Sequence, residues 1–255
     1  METPVTLILG LGRDAGAACA RRFEESGHSV LVASPDEKSL EKARDELPDE
    51  VAYHHGELYN QIGLRNALTA ALEAYGRRDN LVIIPPLPSP DELTGLNMDA
   101  FDSAIEKGAR SGALALHLFA NAIAEQVPLE GVGLERHRRM PTVTFILSQS
   151  ASQSNPGQFT ESFAQGAMQA LVRTGAVELA SAGIRVNAIS AIRPRVEAKN
   201  TEEGNWLKKR TPLGRASLAE EIADAAFYLA SPGAGIITGE TLTLDGGRRH
   251  LSGLL

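Results

Sequence analysis

A chain of 255 residues has room for one large α/β domain or two small ones. With 43% hydrophobic and 22% charged residues it is too apolar to be a disordered chain. A net charge of −7 argues against binding nucleic acid through the overall field, and one cysteine, Cys19, excludes an intramolecular disulfide or a multi-cysteine metal cluster.

Strand-like and helix-like runs alternate along the whole chain. Val5–Leu9 is a short, nearly all-apolar run ending in glycine, as a buried parallel strand requires. A helix pattern follows from Ala15 to Glu25 and stops at Gly27. Ser29–Ala33 reads as the second strand, and Ser34-Pro35-Asp36 opens a helix through Glu46. Val51–His54 is a third strand and Ile62–Tyr75 the next helix. Leu81–Ile84 is a fourth strand, halted by Pro85 and Pro86. Phe101–Gln126 reads as one long helix, Thr142–Leu147 as strand five, Phe163–Ala182 as a helix and Arg185–Ile189 as strand six. Glu220–Ala230 and Glu240–Leu244 complete the pattern with a helix and a strand. Such alternation predicts one doubly wound α/β domain over residues 1–255, with a parallel sheet covered on both faces.

Two loops interrupt it. Residues 127–141 carry the densest basic cluster, Arg136, His137, Arg138 and Arg139, which reads as a solvated excursion. Residues 192–211 follow a strand's carboxyl end, where open α/β sheets bind ligands, and form a candidate substrate lid. The first apolar run is too short to be a signal peptide or a membrane span, so a soluble cytoplasmic protein is the expectation.

The first strand runs into Gly10-Leu11-Gly12-Arg13-Asp14-Ala15-Gly16 and then a helix. A glycine turn at a helix N-terminus lets backbone approach a pyrophosphate and adds partial positive charge. Two registers fit: Gly10-x-Gly12-x-x-Ala15, and Gly10-x-x-x-Asp14-x-Gly16. Asp14 either caps the helix through its carboxylate or repels the phosphate. Ser34 at the tip of strand two, with Arg13 as the nearest cation, favours NADP(H) over NAD(H), although Asp36 and Glu37 follow closely. Of the six histidines only His54 and His55 are adjacent, and their side chains alternate across a strand, so no metal site is expected.

The C-terminal third carries a family resemblance. Gly183-Ile184-Arg185-Val186-Asn187-Ala188-Ile189 resembles the sixth-strand motif of short-chain dehydrogenases/reductases. Pro212-Leu213-Gly214-Arg215, Leu229-Ala230-Ser231, Ile237-Thr238-Gly239-Glu240 and Asp245-Gly246-Gly247 resemble that family's closing segments, in order and spacing. The resemblance spans the chain and implies a seven-stranded parallel sheet, a dinucleotide site and a homo-oligomer, tetramer or dimer. It also places Glu57-Leu58 at the family's adenine-binding Asp-Val pair, and the Gly10…Asp14…Gly16 spacing at its glycine motif.

The family's catalytic residues do not carry over. They are a Tyr-x-x-x-Lys pair, a serine thirteen residues before the tyrosine, and an asparagine on the preceding long helix. Leu171, Arg173 and Glu178 set the register, which puts Glu161 at the tyrosine, Gln165 at the lysine, Ser148 at the serine, and Gly108 or Ala109 at the asparagine. No other register restores the pair. The tyrosines are at 53, 59, 75 and 228, and no lysine occurs between Lys107 and Lys199. Carbonyl reduction needs a proton donor for the developing alkoxide. Ser148 would then orient the substrate, Glu161 would give the proton, and Arg193 or Arg195 from the lid would replace the missing positive charge. Two alternatives stand beside this reading: a nucleotide-binding subunit without turnover, and a non-redox enzyme reusing the pocket. The substrate has no signature in the sequence.

Overall fold

The computed structural model describes residues 3–12, 14–126, 140–192, 205 and 209–251. Seven strands form one sheet: β1 (Val5–Leu9), β2 (Ser29–Ser34), β3 (Ala52–His55), β4 (Asn80–Ile83), β5 (Thr142–Ser148), β6 (Arg185–Ala191) and β7 (Thr241–Leu244). Their order is β3-β2-β1-β4-β5-β6-β7, and every pair is parallel. The helices are α1 (Ala15–Glu24), α2 (Glu37–Glu46), α3 (Gln61–Tyr75), α4 (Met98–Ile105), α5 (Ser111–Ala124), α6 (Phe159–Leu179) and α7 (Ala219–Ala230). The alternation of the sequence is therefore the architecture, with boundaries displaced by a few residues.

Side chains alternate across each strand, so one strand feeds two cores. Leu7 and Leu9 join Leu64, Leu68, Phe119, Met168 and Val172 from α3, α5 and α6. Ile8 faces the other way, onto Cys19, Phe23, Leu40, Ile222 and Leu229 from α1, α2 and α7. Cys19 is wholly buried there and acts as a small apolar residue.

Polar side chains lock the amino-terminal edge of the sheet. Asp79 accepts from the Val5 amide (2.8 Å) and from Arg77 Nη2 (2.7 Å), tying the start of β1 to the start of β4. Thr142 Oγ1 donates to Asn80 Oδ1 (2.8 Å), and Asn80 Nδ2 donates to Thr6 Oγ1 (3.3 Å). These contacts set the β1–β4–β5 register and leave all the carboxyl ends at the opposite edge.

Two helices depart from the sequence expectation. The segment read as one helix from Phe101 starts at Met98 and is interrupted by a π-helical turn, Glu106–Arg110. Ser111 Oγ donates to the carbonyls of Lys107 (2.6 Å) and Gly108 (3.2 Å), taking up acceptors that the wide turn loosens. Helix α6 begins at Phe159, four residues before the expected Phe163. Its cap comes from elsewhere in the chain: Asp91, in the loop after β4, accepts from the Thr160 amide at 3.0 Å and from the Thr160 hydroxyl.

His28 sits edge-on between Phe23 and Phe227, with ring centroids 5.2 and 5.8 Å away. Thr6 Oγ1, which receives the Asn80 amide, also lies at hydrogen-bond distance from His28 Nδ1 (2.9 Å), with the direction of that bond set by the imidazole tautomer. Burial lowers the imidazole pKa to about 4, partly offset by the charge of Asp79. The unfolded histidine titrates near 6.5, so it takes up a proton that the folded one refuses. This contribution to stability is complete above pH 6.5 and is lost as the pH falls towards 4. Thermal melts should show a His28→Phe chain losing less Tm over that interval than the wild type.

Candidate active site

The strand order reverses between β1 and β4, and a crevice opens beyond their carboxyl ends. Leu9, Gly10, Ile83, Ile84, Pro85 and Pro86 line its floor, and Pro35, Leu58 and Tyr59 its β2–β3 side. Its cavity volume is about 30 Å³, room for water but far below an ordinary ligand pocket.

The glycine turn is built by contact. Gly10 has φ +89°, and a Cβ there would lie 2.5 Å from the Ile84 carbonyl oxygen. A Cβ on Gly16 would lie 2.6 Å from Leu11 Cα, so the start of α1 folds directly onto the turn. The two irreplaceable glycines are thus those of the Gly10-x-x-x-Asp14-x-Gly16 spacing, while Gly12 also has a positive φ of +58°. Both tight glycines donate internally, Gly10 N to Ala33 O and Gly16 N to Leu11 O.

The capping expectation for Asp14 is corrected. It occupies the N-cap position of α1, but its side chain makes no capping hydrogen bond. Its carboxylate turns outward and lies 3.9 Å from Lys42 Nζ, drawn by that charge and by solvent. Arg13, its neighbour, lies outside the described residues.

At the tips of β2 and β3 the candidate cofactor residues are engaged in their own turns. Ser34 is buried, and its Oγ accepts from the Asp36 amide (3.1 Å). Asp36 in turn caps α2, accepting from Lys38 N (3.2 Å) and Ser39 Oγ (2.5 Å), which hold its carboxyl below the usual range. Glu57 Oε1 accepts from the Tyr59 amide (3.0 Å), and Leu58 is buried in the crevice wall.

Beside the crevice, the three residues carried over from the family's catalytic positions meet. Ser148 ends β5, and Ser150 follows in a 3-10 turn. Both hydroxyls donate to one oxygen, Glu161 Oε1, at 2.6 and 2.7 Å. Glu161 projects from the first turn of α6, where the helix dipole favours an acid. One turn further on, Gln165 Oε1 accepts from the Ser148 amide (3.1 Å), while Gln165 Nε2 is fully buried without a partner. Glu161 is only 2% exposed, so its two hydroxyl donors carry out work that water does at a surface. Ser150 was not singled out from sequence, although its place two residues after Ser148 was the available signal.

Gly108 is the buried residue of the π turn, and a Cβ there would lie 3.4 Å from Met168 Cε on α6. No polar side chain stands at the family's asparagine position, whether that is Gly108 or Ala109. Arg193 and Arg195 lie outside the described residues, as does the 192–211 lid except at Ile192, Asn205 and Lys209–Thr211. The basic cluster at 136–139 also lies outside them. Among the described residues no group of three His, Cys, Asp or Glu side chains is placed to hold a metal, and no helix is long and apolar enough to span a membrane.

The switch point, the glycine turn and the strand-end serine together define a doubly wound fold of the dinucleotide-binding class. The family model described as enoyl-(acyl carrier protein) reductase matches residues 10–249, and the chain belongs to this branch of the short-chain dehydrogenases/reductases. Its relatives include a 3-oxoacyl-(acyl-carrier-protein) reductase of Rickettsia bellii, 27% identical over 94% of this chain and 95% of that protein. A glucose 1-dehydrogenase of Gluconobacter oxydans is 28% identical over 94% of this chain and 90% of that protein. Among solved structures, a 3-ketoacyl-(acyl-carrier-protein) reductase of Brucella melitensis complexed with NADH superposes with a TM-score of 0.85. It is 25% identical, over 97% of this chain and 98% of that one.

Removing a hydroxyl donor to Glu161 leaves a buried carboxyl less well satisfied. Ser150→Ala should therefore destabilise the fold by about 1–3 kcal/mol in urea unfolding, more than an ordinary surface serine would.

Proposed function

We propose that this protein is an NAD(P)(H)-dependent oxidoreductase acting on a carbonyl substrate, with Ser148 and Glu161 in place of the family's tyrosine–lysine relay. The observation that carries this reading is the 2.6 Å hydrogen bond between Ser148 Oγ and Glu161 Oε1 beside the switch-point crevice. A bound NAD(P)H supplies the hydride. In this reading Ser148 would orient the carbonyl oxygen, and Glu161, to which Ser148 is hydrogen-bonded, would give the proton to the alkoxide. Gln165 fixes Ser148 through its amide, and its orphaned Nε2 suits a hydroxyl acceptor on the nucleotide. Burial of all three favours a fixed geometry over a solvated one. NADP(H) is the preferred form in this reading, because Ser34 rather than an acid ends β2. The residues of the glycine turn, Gly10, Gly12, Arg13, Asp14 and Gly16, would lie along the diphosphate, with Glu57 and Leu58 at the adenine. A cytoplasmic homo-oligomer is the accompanying expectation.

A second reading, binding without turnover, is favoured by one observation: the crevice is narrow where Pro85 and Pro86 put rings in place of backbone donors. NADPH and NADH titrations followed by turnover with a carbonyl panel separate the two. Steady NADPH oxidation is expected, with Glu161→Gln lowering kcat by about 100-fold or more and leaving NADPH affinity unchanged. Binding with no turnover on any substrate moves the assignment to the second reading.

A further inference from the structure

The π turn between α4 and α5 carries residues that none of the chemistry above uses. An extra residue in a helical turn rotates the flanking side chains by about 100° relative to one another. Here Gly108 faces α6 and closes against Met168, while Lys107 lines the crevice. The Ser111 hydroxyl, bonded to the Lys107 and Gly108 carbonyls, holds the turn in this form.

Among the described residues lining the crevice, Lys107 is the only charged side chain; its neighbours there are apolar apart from Tyr59 and Ser111. Its Nζ lies 5.8 Å from the centroid of the Tyr59 ring, in the turn after β3. Arg110, on the same turn, donates to the Tyr59 carbonyl (3.5 Å) and is balanced by Glu106 at 3.7 Å. Lys107 has no carboxylate partner of that kind among the described residues. An ammonium at the mouth of an apolar cleft attracts an anion more strongly than one in open solvent. The carboxyl ends of β2 and β3, represented here by Pro35, Leu58 and Tyr59, are where dinucleotide folds hold the adenosine half of the ligand.

We propose that Lys107 binds a phosphate on the adenosine half of a nucleotide, either the diphosphate or a 2′-phosphate. The inference rests on the dinucleotide-binding reading above. It puts a cation of the site on the α4–α5 π turn, whereas Gln165 on α6, at the family's lysine position, is neutral.

Calorimetric titration of wild type, Lys107→Met and Lys107→Arg with adenosine, ADP and adenosine 2′,5′-bisphosphate tests it. Lys107 is exposed, so both variants should fold, with circular dichroism as the check. Lys107→Met is expected to weaken a phosphate-bearing ligand about tenfold or more, to leave adenosine unchanged, and to flatten the salt dependence, with Lys107→Arg restoring affinity. A loss seen with ADP assigns the diphosphate; a loss confined to the bisphosphate assigns the 2′-phosphate. Unchanged phosphate affinity in Lys107→Met, or an equal loss with adenosine, overturns this inference while leaving the dinucleotide reading intact. A wild type that binds none of the three nucleotides, nor NADPH or NADH, overturns both.

Discussion

The parallel pairing of β1 with β4 is the constraint on which the rest of the molecule depends. It reverses the direction in which strands are added and so creates the crevice beyond their carboxyl ends. The pair is fastened at both ends by different means. At the amino edge, Asp79 links the Val5 amide to Arg77; at the carboxyl edge, Gly10 lies against the Ile84 carbonyl with no room for a Cβ. A slip of one residue there would break the Asp79 contacts and exchange the two core faces.

The site hung on this frame differs from an ordinary pocket in how its polar groups are used. Ser148, Ser150, Glu161 and Gln165 are all buried, and hydrogen bonds join them to one another. Buried polar clusters are costly unless nearly every group is matched, and this one matches two hydroxyl donors to a single carboxyl oxygen while leaving one amide donor over. Among the described residues, Gln165 keeps a buried amide donor without a partner, and Lys107 is the one charged side chain lining the crevice.

Most of the architecture was legible in the residue order. Short apolar runs alternating with helical patterns located all seven strands, and the positions of Glu161, Gln165 and Ser148 followed from one helix register. The misplaced boundaries share a cause: the partner was remote. Helix α6 starts early because Asp91, about seventy residues back in the chain, caps it at Thr160, and the long helix is broken by a π turn whose Gly108 lies against Met168. Asp14 had the right residue type and position for a cap, yet its exposed carboxylate makes no capping bond and lies 3.9 Å from Lys42 on the next helix. Local preference yields in each case to a contact that sequence distance conceals.

The sequence by itself determined the fold, the family resemblance and the loss of the tyrosine–lysine pair, because periodicity, motif spacing and the absence of a residue type are properties of order alone. Only the tertiary structure decided what stands in their place. Whether Glu161 meets water or Ser148, and whether Lys107 faces solvent or the crevice, depends on a rotation fixed by packing between helices. The residue order excludes a Tyr-x-x-x-Lys pair, and packing brings Ser148 and Ser150 onto Glu161 and the Ser148 amide onto Gln165.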